Sequence, residues 1–212
     1  MKTIIKSSLT GLAVILISIA ALSTHAMAMH DIKPAELLIA RAYELANFVK
    51  RDQQNGARVD FLSIEIVKDG SDLLIEMGGS YGFCDICPNH TVKVYLNPIL
   101  MNKSVGEQMC AIFHELAHAY DQHYRTGNAG FECYPHLKIY AEGCHAQHGI
   151  PLEGMRASEW YADWQATQWI KKYAPEYVED LKRHYEKFIE GHIESNSARK
   201  YPPHGLILLW LS

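Results

Sequence analysis

The run His114-Glu115-Leu116-Ala117-His118 constrains this 212-residue chain more than any other segment. Two histidines four residues apart project from successive turns of one helix face. Their rings can converge on a single cation at bond lengths of about 2.0–2.1 Å. Glu115 is turned off that axis, where it cannot readily ligate the same ion. It can instead take a proton from a water beside the ion and pass it on, the work of a general base. The pattern therefore asks for a helix with one face packed and another open on a cleft.

The chain holds 12 histidines, and composition alone would place this pattern in roughly one chain in twenty. The surrounding sequence has to decide. Ser104 and Glu107 form an S-x-x-E capping box just before the run. Gly127 is the expected C-terminal cap, with His123 and Arg125 in the last turn. Val105, Met109, Ile112, Leu116 and Tyr120 line one face, and His114 and His118 fall almost opposite it.

A catalytic metal needs a third protein ligand and an open position. A second helix predicted from Arg156 to Tyr173, stopped by Pro175, offers one. Glu159 and Asp163 stand four residues apart on it and continue the apolar stripe through Ala162 and Ala166. Glu159 can bind zinc, and Asp163 can accept a hydrogen bond from a ligand imidazole and fix its tautomer. A third histidine six residues after His118 would complete a different zinc pattern, but position 124 is Tyr. His123, His136, His145 and His148 are the other histidines near in sequence.

With these residues together, the chain resembles the gluzincin metallopeptidases. The resemblance lies in His114-Glu115-x-x-His118 followed by Glu159-x-x-Ala162-Asp163, and loosely in the strand before them. It implies Glu159 as third zinc ligand, Asp163 as partner of His114, and Glu115 as base for peptide hydrolysis by zinc-activated water. It also implies an edge strand at Val92–Asn97 that pairs with extended substrate. Such enzymes use a Tyr or His to stabilise the oxyanion, and His192, Tyr201 and His204 are the downstream candidates.

The remaining sequence frames an α+β, zincin-like single domain: a small twisted sheet, the zinc helix, and a second helix carrying the third ligand. Pro34 to about Arg51 reads as an amphipathic helix. Leu62, Ile64 and Ile66 alternate as a strand. Leu73, Ile75 and Met77 alternate again after Asp69-Gly70, which predicts a hairpin. An irregular segment carries Cys84-x-x-Cys87, and Val92, Val94 and Leu96 mark a third strand. Residues 134–154 show no period and read as a long loop, the expected specificity element. A last amphipathic helix carries Val178, Leu181, Tyr185 and Phe188, and the apolar tail 204–212 is expected to pack on the core.

The first 28 residues are of another kind. Lys2 and Lys6 precede an apolar run from Leu9 to Leu22, and Ala26-Met27-Ala28 closes it. This is the pattern of a secretory signal peptide, which leaves 29–212 as the domain, periplasmic or secreted and without a membrane anchor. The formal net charge is −4 at pH 7, which argues against a nucleic-acid partner. A peptide or protein substrate is the expected partner. Export makes disulfides the expected state of Cys84, Cys87, Cys133 and Cys144, with Cys110 left as a thiol. Two competing readings are a zinc-binding module without catalysis and a disulfide or redox protein acting through Cys84 and Cys87.

Overall fold

In the computed structural model, described for residues 33–52, 58–87, 90–127, 129–149, 151–152, 155–190 and 201–212, Val92, Val94 and Leu96 are at most 1% exposed. They lie on β3 (Thr91–Leu96), the middle strand of a three-stranded sheet. β1 (Phe61–Ile66) runs parallel to β3, with Phe61 opposite Thr91 and Ile66 opposite Leu96. β2 (Gly82–Ile86) pairs antiparallel on the other side, with Gly82 opposite Leu96. The predicted substrate-pairing edge at Val92–Asn97 is therefore corrected. Both edges of β3 are already hydrogen-bonded, and among the described residues the strand with an open edge beside the cleft is β2.

The expected β1 hairpin with Leu73–Met77 is also corrected, because that segment is a short helix, α2 (Asp72–Glu76). Ser71 accepts a hydrogen bond from Leu74 N and Asp72 sits in the first turn, so capping wins over alternation. Of the three alternating residues only Met77 is buried, and Ile75 is 74% exposed. Gly78 and Gly79, at φ 57° and 91°, turn the chain out of α2 toward β2. β1 and β3 are parallel because a crossover, not a turn, joins them.

The chain divides into two compact units, residues 1–37 and 38–212. The helix α1 (Pro34–Asp52) starts in the first, and the expected signal segment 1–28 lies outside the described residues. In the second unit α1 buries Leu38, Ala42, Leu45, Ala46 and Val49, the predicted stripe. The core helix is α3 (Val105–Tyr120), with the S-x-x-E capping box closed in both directions. It is buried on nearly every side, with Ile112, Phe113 and Leu116 fully inaccessible.

α3 ends at Tyr120 rather than near Gly127. Asp121 leaves helical geometry, and its side chain accepts from His123 N to cap a four-residue helix, α4 (Gln122–Arg125). The expected loop after residue 134 is largely a helix, α5 (Pro135–His148), closed by Gly149 at φ 66°. Among its described side chains only Leu137 and Ala141 are fully buried, while Ile139 is 73% exposed. So narrow a stripe leaves no clear period in the sequence.

The second motif helix is α6 (Ala157–Tyr173), with Trp160, Ala162, Ala166 and Ile170 fully buried. It runs antiparallel to α3: Phe113 meets Trp169 and Tyr173, His114 meets Asp163, and His118 meets Glu159. α7 (Val178–Glu190) closes on α3 at Gly106, where a Cβ would stand 2.9 Å from Asp180 Oδ2. α8 (His204–Leu211) buries Ile207, Trp210 and Leu211, as expected of the tail. The result is a mixed α+β fold with eight α-helices among the described residues, none long and apolar enough to cross a membrane.

Candidate metal centre

The antiparallel pairing of α3 with α6 sets the predicted residues face to face. His114 Nε2 lies 3.2 Å from His118 Nε2 and 3.2 Å from Glu159 Oε2. The third edge, His118 Nε2 to Glu159 Oε2, is 3.6 Å. One cation at bond lengths of about 2.0–2.1 Å and tetrahedral angles would separate its donor atoms by about 3.3–3.4 Å. The triangle has that size. A shared proton does not explain it, because one linear hydrogen bond serves one edge. Three nearly equal edges call for a centre, and two imidazoles with one carboxylate are a donor set suited to zinc. These are the only residues among those described whose ligand atoms cluster so closely.

Asp163 occupies the position expected of a partner to His114. Its Oδ1 is 2.7 Å from His114 Nδ1, so the Nδ1–H donates to the carboxylate and leaves Nε2 for the triangle. Burial disfavours the charged imidazolium, but Asp163 and Glu159 outweigh it and hold His114 well above the usual histidine range. Burial likewise works against the Glu159 carboxylate, while the two histidines outweigh it and hold its carboxyl below the usual range. His118 Nδ1 is buried and has no hydrogen-bond partner among the described residues.

Glu115 points beside the triangle and is only 6% exposed. Burial raises its carboxyl above the usual range, against the pull of His114 and His118. A carboxylate with a raised pKa is a better proton acceptor at neutral pH. The strand β2 crosses directly over it: a Cβ on Gly82 would lie 2.5 Å from Glu115 Cγ and 2.7 Å from its Oε1.

A cleft of about 780 Å³ opens over these groups. Gly82, Phe83 and Cys84 of β2 form one wall, and Leu181, His184, Tyr185 and Phe188 of α7 another. Tyr201 and His204, two of the three residues considered for oxyanion stabilisation, line it as well. The third, His192, lies outside the described residues. No described residue between 125 and 155 lines the cleft, so the loop expected to set specificity does not border it; α7 and the start of α8 do. His123 packs on Tyr134 and His136 on Trp164, away from the triangle.

Tyr124, which no sequence motif marks, enters through the turn at Asp121. Its ring centroid is 4.4 Å from that of His118, and burial pushes its hydroxyl up to about 12. The hydroxyl therefore stays protonated and able to donate. Gly82 and Arg156 are likewise unmarked in the sequence. Neither belongs to a motif, and both reach the cleft only through the packing of β2 and α6.

No disulfide joins the cysteines. Cys84 is buried on the inner face of β2, and positions three apart along extended chain point to opposite faces, which separates Cys84 from Cys87. Cys87 Sγ contacts Asp85 at 3.7 Å instead. Burial pushes the Cys84 thiol well up, the reverse of what a redox nucleophile requires. Cys110 contacts Tyr185 at 3.6 Å, and burial raises its thiol to about 11.

Compared with known proteins, the chain matches no family model, no curated protein and no solved structure.

Proposed function

We propose that this chain is an exported zinc-dependent peptidase of gluzincin type on a zincin-like domain. The observation that carries the reading is the donor triangle of His114, His118 and Glu159, whose edges of 3.2, 3.2 and 3.6 Å match one tetrahedral cation. His114, His118 and Glu159 would hold a zinc ion, which would supply Lewis acidity toward a water and the scissile carbonyl. Glu115 accepts the proton of the attacking water on its carboxylate and returns it to the leaving amine. Its burial under Gly82 keeps bulk water away and sustains the raised pKa. The Tyr124 hydroxyl, protonated at neutral pH, donates to the developing oxyanion. Asp163 holds the His114 ring and tautomer. The free edge of β2 offers backbone groups to an extended peptide, which would lie along the cleft as a fourth strand. Export rests on the signal-like pattern of residues 1–28.

The test compares wild type with Glu115→Gln for zinc content by mass spectrometry and for cleavage of a diverse peptide library, with and without chelator. Both proteins are expected to hold one zinc per chain. Wild type cleaves, and the variant loses about 10²–10⁴ in kcat. Wild type that binds zinc but cleaves no peptide would sink the peptidase reading and leave a binding module. Wild type that takes up no zinc would remove both.

A further inference from the structure

Four carboxylates line the cleft: Glu107, Glu115, Glu159 and Asp163. Among its described lining residues only one carries a fixed positive charge, Arg156. In so acidic a cleft a guanidinium would ordinarily pair with a neighbouring carboxylate. Three of the four are already engaged. Glu159 and Asp163 face His114 at 3.2 and 2.7 Å. Glu107 accepts from Ser104 N at 3.1 Å and has Lys103 Nζ 3.6 Å from its other oxygen. Glu115 is tucked under Gly82. The side chain of Arg156 is exposed and forms no ion pair or hydrogen bond with any described residue. It stands at the N-cap of α6, one turn ahead of Glu159, where the helix dipole adds to its positive potential.

We propose that Arg156 is an anion-recognition site that holds a carboxylate of the substrate beside the metal centre. The inference rests on the peptidase reading and deepens it by naming a substrate class. A guanidinium matches a carboxylate through two parallel N–H···O bonds, which a lysine cannot reproduce. Side chains three apart at a helix start lie about 5–6 Å apart, and extended peptide advances about 3.3 Å per residue. A carboxylate held by Arg156 therefore falls within roughly two or three residues of the scissile bond. It can come from an Asp or Glu side chain or from the free C-terminus of a short peptide. The two sources share one chemistry and separate in the test.

The experiment measures binding without turnover, by fluorescence anisotropy on zinc-loaded full-chain Glu115→Gln with and without Arg156→Gln. Three labelled hexapeptide pools serve as probes: neutral with an amidated C-terminus, amidated with one acidic residue, and neutral with a free C-terminus. At least one carboxylate pool is expected to bind more tightly than the neutral amidated pool. Arg156→Gln should weaken that pool about tenfold to a hundredfold and leave the neutral pool within twofold. Arg156→Lys should recover only part of the loss. Preference for the acidic pool identifies a side-chain carboxylate, and preference for the free-terminus pool identifies the C-terminus. Equal binding of all pools, or an equal loss in all of them at unchanged zinc content, overturns the proposal while wild-type cleavage still upholds the peptidase. If no pool binds and wild type cleaves nothing, both fall together.

Discussion

At position 82 a hydrogen stands where any other residue would put a carbon 2.5 Å from Glu115 Cγ. The contact is with a buried side chain that has β2 above it and α3 behind it, so Glu115 has little room to yield. Gly82→Ala is therefore expected to turn the Glu115 carboxylate from its place while leaving the donor triangle untouched. A displacement of about 1 Å at a reacting group costs on the order of 10² in rate. The variant should keep one zinc per chain and lose about a hundredfold in kcat in a peptide-cleavage assay. Unchanged kcat would show that Glu115 is not held by this contact. At this scale the ligand residues were open to sequence reading because each pair lies on one helix at spacing four. Gly82 and Tyr124 were not, because each meets a group that the chain reaches only by turning back on itself, and Arg156 was not, because only the packing of α6 sets it on the cleft.

The helix that presents the histidines is set by its first turn. Ser104 accepts from Glu107 N at 3.3 Å, and Glu107 Oε2 accepts from Ser104 N at 3.1 Å, so two otherwise orphaned donors are satisfied. Ser104→Ala should cost about 1 kcal/mol, and a domain of this size should then melt about 2–4 °C lower. Calorimetry on the zinc-loaded protein checks it, and an unchanged melting point would mean that packing alone defines the start of α3. α3 with this cap, and α1 and α6 with their apolar stripes, were legible in advance. α2 looks like a strand in the sequence because Leu73, Ile75 and Met77 alternate, although Leu73, Leu74 and Met77 equally suit a helix once Ser71 caps it. α5 was missed because Leu137 and Ala141 form a buried stripe too narrow to stand out.

Across the whole molecule, the donor triangle exists only because α3 and α6 pack antiparallel at close range. Ala162 and Ala166 are fully buried, and Ala166 stands nearly one turn beyond Asp163. Ala166→Leu would force α6 away from α3 and cost about 1–3 kcal/mol through overpacking. Because Glu159 and Asp163 ride on α6, zinc affinity should fall together with the urea midpoint. A loss of stability with zinc affinity unchanged would show that the metal centre tolerates helix displacement. Packing also leaves the open edge beside the cleft on β2 rather than on β3. The hydrophobic alternation of Val92, Val94 and Leu96 marks a buried strand but does not say how many neighbours it has.

The amino-acid sequence by itself determined the two motif helices, the alternating strand before them and the residues able to hold a cation. Helical spacing and capping act within a few residues of each other, so linear order is enough to read them. Only the tertiary structure decided that Glu159 closes the triangle, that Gly82 lies on Glu115, and that Arg156 and α7 form the cleft. Those relations join α3, α6, α7 and β2 across long stretches of chain, and packing of buried surfaces brings them together rather than any local pattern.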